Sequence, residues 1–232
     1  MMNEVLLLFS SFVCISFILT AWGLGKERIY TTIVILLLLI LLVGGRIITV
    51  AGHETNAGNI FYASIYLATY FIIERFGKRE AMRSIRIGVV CVLFFSILLW
   101  TAITYQGSGA TPELDASFPV AFQTILQTMM ASLIAYSISQ TLNIHIYCYL
   151  RSRYEDVHIW LRANFSNICA QIVDSGIFFI IAFWNTVPFS NFKDIILTGL
   201  ALKILFMAVT SPLLSMNRLE EDETGFAMIK PR

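Results

Sequence analysis

The chain has 232 residues, 57% of them hydrophobic and 13% charged, with a mean hydropathy of +0.75. This composition describes an integral membrane protein and excludes a soluble domain with a charged surface. A formal net charge of +1 gives no electrostatic ground for a nucleic-acid partner, which leaves the lipid bilayer as the first partner.

Seven stretches approach the roughly 20 residues that a helix needs to span a bilayer. In chain order they are 4–24, 29–50, 58–76, 85–105, 118–149, 159–184 and 193–215. The expected fold is all-α, a polytopic membrane bundle forming a single membrane domain over 1–232. The first stretch starts almost at Met1 without a basic region or a small-residue cleavage site, so it reads as a retained helix. The fifth exceeds spanning length and is expected to tilt, kink or continue beyond the membrane. Between the fourth and fifth lies 106–117, rich in Gly, Pro and small polar residues, which reads as an exposed flexible connection.

Basic residues mark one side. Lys26 and Arg28, then Arg75, Lys78, Arg79, Arg83 and Arg86, then Arg151 and Arg153, then Arg218, Lys230 and Arg232 fall in alternate connections. The opposite connections, 51–57 and 106–117, contain no Lys or Arg. By the positive-inside rule the N-terminus lies outside, and a tail at 216–232 lies in the cytoplasm with its short acidic run at 220–224.

The sixth stretch, WLRANFSNICAQIVDSGIFFIIAFW at 160–184, is apolar enough to span yet carries Asn164, Asn167, Gln171 and Asp174. At about 100° per residue these four fall within an arc of roughly 80°, with Ser175 beside it. Such a stripe has to face protein, ligand or water, because lipid satisfies no hydrogen bond. Lys203 lies about ten residues inside the last stretch, at a depth where it can approach Asp174. Two uses fit the pair: a structural ion bridge, or a site where one or both meet a polar ligand. Three amides beside a carboxylate supply more donors and acceptors than one bridge uses, which favours a ligand.

Other polar positions have simpler readings. Arg46 follows Gly44-Gly45 at a helix end, where it snorkels to water or lines a cavity mouth. Glu74 sits among Arg75, Lys78 and Arg79, where neutralisation at the surface competes with a role as a second acid. Ala131, Ala135 and Ser139 recur at four-residue spacing on the fifth stretch, which permits close helix contact, within the protomer or with a partner subunit. Gln123 and Gln127 are one turn apart there, with Gln140 on another face. His53, His145 and His158 lack metal-ligand spacing, and Cys14, Cys91, Cys148 and Cys169 lack the close pairing of a zinc or redox motif. Neither metal nor other cofactor is expected. No Walker A sequence or GxSxG elbow is present, so an ATP-hydrolysing subunit is excluded and nothing points to an enzyme.

Three blocks together, AGNIFYASIYLATYFIIERFGKREAMRS at 57–84, ASLIAYSISQTLNIHIYCYL at 131–150 and the 160–184 stretch, resemble the queuosine precursor transporter family, also called the vitamin uptake transporter family. The resemblance covers most of the chain after about residue 30. It rests on a third helix ending E-x-x-G-K, on A-S-x-x-A-Y-x-x-S-Q, and on W-L-R-x-N-x-S followed by Q-x-x-D. Members resemble substrate-binding subunits of energy-coupling-factor transporters with a six-helix core, which makes 29–215 the core and 4–24 an added helix.

The resemblance implies uptake, across the cytoplasmic (inner) membrane, of a 7-deazaguanine such as the prequeuosine base or queuine. A homodimer, or a separate energising membrane partner, stands as an alternative to a chain acting alone. A carboxylate suits the ring N–H and exocyclic amine of such a base, amides suit its remaining groups, and aromatic rings suit its faces. On that basis Asp174 is the expected carboxylate and Gln171, Asn167 and Asn164 the amides. Tyr66, Tyr70 or Phe178 stack, with Glu74 and Lys203 as further candidates. Where many relatives carry an acid in L-x-T-D, this chain has Leu67-Ala68-Thr69-Tyr70, and Asn167 stands where they carry Thr. The implication therefore reaches the class of base and not its identity.

Overall fold

The structure, a computed structural model, describes residues 2–154, 158–183 and 189–215. The tail with its acidic run, the 184–188 connection and the side chain of Gln127 lie outside the described residues. The helices are α1 (Met2–Leu24), α2 (Lys26–Val43), α3 (Asn59–Phe76), α4 (Lys78–Thr104), α5 (Pro112–Arg153), α6 (Ile159–Phe183) and α7 (Phe189–Thr210). A 3-10 segment, Ser211–Ser215, follows α7, and two short strands, β1 (Ile47–Val50) and β2 (His53–Asn56), lie between α2 and α3.

The axis of the bundle is α3. Every residue from 62 to 73 is buried, and α1, α2, α4, α5, α7 and the 3-10 segment all pack on it. Lipid tails are as apolar as a leucine, so apolarity alone does not draw such a helix inward; close packing and interhelical hydrogen bonds do. Its tyrosines Tyr62, Tyr66 and Tyr70, spaced four apart on one face, each carry a hydroxyl to a partner on another helix. On the outside, Phe9 and Phe12 of α1 and Phe94, Ile97 and Trp100 of α4 are exposed, a distribution suited to acyl chains.

Three helical segments among the described residues are long and apolar enough to cross a membrane: Met2–Leu24, Lys78–Thr104 and Ile195–Leu214. Helices α2 and α3 have 18 residues each and so reach about 27 Å, slightly less than a hydrocarbon core. The 42 residues of α5 reach about 63 Å, well beyond what one upright span needs. It begins at Pro112, inside the connection expected at 106–117, and Pro at the first helical position suits that start.

The second stretch departs from expectation. Its helix ends at Val43 rather than 50, and residues 47–56 form an antiparallel hairpin in register Val50↔His53 and Ile47↔Asn56. The glycines at 44 and 45 release the helix, and the β-branched run Ile47-Ile48-Thr49-Val50 favours a strand. The turn residues Ala51 (φ 51°) and Gly52 (φ 84°) both lie in the left-handed region, as a two-residue turn matched to strand twist requires. α1 holds the hairpin from the side, through Asn3 Nδ2 donating to Thr49 O (2.8 Å) and Glu4 Oε1 accepting from Ala51 N–H (2.9 Å). Arg46 is exposed, in keeping with the snorkelling reading.

Basic residues collect at the end of the bundle away from the hairpin. There Glu80 accepts from the Tyr30 hydroxyl (2.6 Å) and pairs with Lys26 (3.1 Å), while Arg75 donates to Trp22 O (3.0 Å). Only Gly77, at φ 84°, separates α3 from α4, so Lys78, Arg79, Arg83 and Arg86 lie on the first turns of α4 rather than in a loop.

Candidate functional site

A cavity of about 350 Å³ opens beneath the hairpin, between the end of α2, the start of α3, and α5, α6 and α7. Its wall is largely apolar, with polar groups from Asp174, Lys203, Tyr62 and Asn59. Apolar walls with a few placed polar groups are the usual form of a small-molecule pocket.

Asp174 is at the centre of the polar contacts. Its Oδ1 accepts from the hydroxyls of Tyr62 on α3 and Ser139 on α5, the latter at 3.2 Å. Its Oδ2 lies 3.7 Å from Lys203 Nζ, and both side chains are 11% exposed. That separation makes an ion pair but a poor hydrogen bond. Oδ2 thus keeps lone-pair capacity toward the cavity. Lys203 Nζ also lies 4.4 Å from the centre of the Tyr62 ring, a cation–π distance that helps to hold the ammonium. The antiparallel approach of α6 and α7 expected from depth is therefore present.

The rest of the stripe divides. Phe178 and Ser175 line the cavity with Asp174. Gln171 and Asn167, one and two turns deeper, are fully buried outside it and bonded to one another at 3.4 Å. Asn164 faces elsewhere, donating to Trp160 O (2.8 Å) and Ser211 Oγ (2.9 Å) and so tying α6 to the 3-10 segment. Tyr66 is buried, with its hydroxyl 3.3 Å from Ser139 Oγ. The Tyr70 hydroxyl lies 2.7 Å from Asn143 Oδ1, 2.8 Å from Ala163 O and 2.9 Å from Ser166 Oγ, and its ring packs on Tyr147 at 4.9 Å. Neither tyrosine lines the cavity.

Glu74 lies at the basic end, remote from Asp174 in the chain and in the bundle. It accepts from the Tyr147 hydroxyl (2.6 Å) and pairs with Arg151 (3.6 Å), which also donates to Ile73 O (3.1 Å). This cluster joins α3 to α5, and Arg162, 3% exposed in the first turn of α6, lies over the Tyr147 ring at 5.9 Å. The small residues Ala131, Ala135 and Ser139 are buried inside the bundle. Gln123 is exposed, as are His53, His145 and His158.

Sequence reasoning missed Tyr62, Ser139 and Arg162. The four-residue spacing of Tyr62, Tyr66 and Tyr70 was the available signal for the first. Nothing in local sequence shows that Ser139 meets Asp174.

Two glycines admit close helix packing, of which Gly199 lies in the cavity wall. A Cβ on Gly199 would lie 2.8 Å from Asn59 Nδ2, which donates to Thr55 Oγ1 at 2.9 Å. Gly199→Ala is expected to break that bond and to lower stability by about 1–3 kcal/mol, read as a fall in Tm of the purified protein. A Cβ on Gly88 would lie 2.7 Å from Leu37 Cδ1, which is how α4 approaches α2.

Comparison with known proteins follows the same lines. A family model described as "Putative vitamin uptake transporter" matches residues 56–216, well over half of the chain. The "Probable queuosine precursor transporter" of Bacillus subtilis (strain 168) is 22% identical over 191 residues, covering 82% of this chain and 83% of that protein. The "Queuosine precursor transporter" of Escherichia coli (strain K12) is 27% identical over 139 residues, 60% of each chain. No solved structure matches the chain. The family match begins within β2 and takes in every helix that contributes a polar group to the cavity, and on that match the chain belongs to the vitamin uptake transporter family.

Proposed function

We propose that this membrane transporter takes up a 7-deazaguanine base, the prequeuosine base or queuine, and that Asp174 is the anion that reads it. The observation carrying this is a carboxylate in a cavity of about 350 Å³ with one oxygen fully engaged and the other short of a hydrogen bond. Asp174 Oδ2 accepts from the ring N–H or exocyclic amine, Lys203 donates to the ring carbonyl, and Phe178 covers one face of the base. Both relatives are named as queuosine precursor transporters, which supports the substrate class. Gln171 and Asn167 belong to the route below this site. Asn164, Tyr66, Tyr70 and Glu74 serve it by holding helices together.

The protein is a single membrane domain of the cytoplasmic membrane, with the hairpin end outside and the basic end in the cytoplasm, and the base passes through chemically unchanged. The chain acts without an energising partner, drawing on the solute gradient and on trapping of the base inside. Purified protein in liposomes is the test. Saturable uptake of labelled 7-deazaguanine with no other protein present is expected. Binding without uptake would make the chain a subunit that needs a partner, and a modified product would make it an enzyme. Absence of both binding and uptake would remove the substrate assignment.

A further inference from the structure

Below the Asp174 cavity, α5 and α6 enclose a second group of polar side chains. The two helices run antiparallel and are pinned at two levels, by Ser139 to Asp174 at 3.2 Å and, through the Tyr70 hydroxyl, by Asn143 and Ser166. Residue 140 on α5 and residues 167–171 on α6 lie between these pins. Gln140, Asn143, Asn167 and Gln171 are all 0% exposed. Among the described residues these amides pair along their own helices, Asn143 Nδ2 donating to Gln140 Oε1 and Gln171 Nε2 to Asn167 Oδ1, each at a long 3.4 Å, while Asn143 Oδ1 also accepts from Tyr70.

Gln140 Nε2, Asn167 Nδ2 and Gln171 Oε1 are buried and have no hydrogen-bond partner among the described residues. A buried polar group without a partner is costly, and more so where no water can serve it. Three such atoms between two pinned helices are poor for stability and apt for a polar guest. On α6 the pair leaves one amide NH2 and one amide C=O without a partner, and exchanging O and N of both amides leaves the same set. Gln140 adds a further donor. An adjacent carbonyl and N–H, the lactam edge of a guanine-type ring, matches that set. An amidine edge, with an amine in place of the carbonyl and an unprotonated ring nitrogen beside it, accepts from one of these donors only and leaves the other unmet.

We propose that Gln140, Asn167 and Gln171 form a second station, one to two helical turns deeper than Asp174, which receives the lactam edge of the base after it leaves the outer cavity and so sets lactam specificity. The inference rests on the function proposed above. The outer station repeats the same logic with Asp174 as acceptor and Lys203 as donor, so the base exchanges one donor–acceptor pair for another as it descends. The cost of the unmet amides is carried by the state in which the outer cavity is open. Occupation of the inner station removes it.

The test compares wild type with Gln140→Met and Gln171→Met, near-isosteric changes on the two helices. Three quantities are measured: Tm without ligand, equilibrium binding of labelled 7-deazaguanine in detergent, and uptake of 7-deazaguanine and 7-deazaadenine into liposomes. Each change removes one unpartnered atom together with one long 3.4 Å bond, so Tm stays close to that of wild type. Binding at the Asp174 site changes by no more than about threefold, while uptake falls by roughly tenfold or more and preference for the lactam base is lost. Unchanged uptake and preference in both variants overturns the second station. So does a lowered Tm with binding and uptake falling in parallel, or failure of both variants to fold, since the amides would then hold the bundle together. Failure of the wild type to bind 7-deazaguanine is a separate result, and it overturns the substrate assignment instead.

Discussion

Asp174→Asn is expected to abolish binding of the base and to lower the stability of the protein by about 3–5 kcal/mol. The substitution keeps size and shape, and an amide oxygen can still accept from Tyr62 and Ser139. What changes is charge. The Lys203 ammonium, 3.7 Å away and 11% exposed, loses the only anion that faces it among the described residues. Breaking a buried pair from one side costs far more than removing both members. Lys203→Met added to Asp174→Asn is therefore expected to recover most of the lost Tm while binding stays absent. The two variants thus separate the structural use of the pair from its use by a ligand, which sequence left open.

Tyr70→Phe is expected to cost about 1–3 kcal/mol, read as a lowered Tm, with binding at the Asp174 cavity held within about twofold. Its hydroxyl is the meeting point of α3, α5 and α6, within 2.9 Å of Asn143, Ala163 and Ser166. One hydroxyl proton serves one acceptor at a time, and the oxygen accepts from Ser166 whenever the Ser166 hydroxyl is not donating to Ala163 O. Without it, Asn143 Oδ1 and Ser166 lose a partner where no water replaces it. A stacking role, the use expected from sequence, predicts unchanged stability instead. Phenylalanine keeps the ring, so a stacking residue would lose neither stability nor binding.

Much of this arrangement was legible because the bilayer enforces it. A carboxylate and a lysine far from either flank of their stretches have few partners available, so their shared depth sufficed to bring Asp174 and Lys203 together. The same constraint marked 160–184 as the polar helix. Its stripe nevertheless splits in three, because an arc of roughly 80° is read on an isolated cylinder whereas different neighbours cover different levels of α6. Asp174 meets the cavity, Gln171 and Asn167 meet packed helix, and Asn164 meets Ser211 of the 3-10 segment. Hydropathy also concealed the hairpin, since Ile47, Ile48 and Val50 are as apolar in a strand as in a helix. The glycines at 44 and 45 and the β-branched run were the signals against a continuous span.

The position of α3 was the larger gap. A helix rich in isoleucine, phenylalanine and tyrosine reads like any other span, and only tertiary packing makes it the axis. Once there, Tyr62 becomes both a hydrogen-bond donor to Asp174 and the ring beneath Lys203. The aromatic residues that line the cavity are thus Phe178 and Tyr62 rather than Tyr66 and Tyr70.

The most direct measurement is equilibrium binding of labelled 7-deazaguanine to purified wild type and to the Asp174→Asn, Lys203→Met double variant, each verified as folded by its Tm. The account predicts saturable binding to wild type and loss of at least about 99% of the affinity in the double variant, the effect of removing charge-assisted hydrogen bonds from a buried site. A double variant that keeps its Tm and binds the base as wild type does would contradict it, and would leave Asp174 and Lys203 as a bridge between helices.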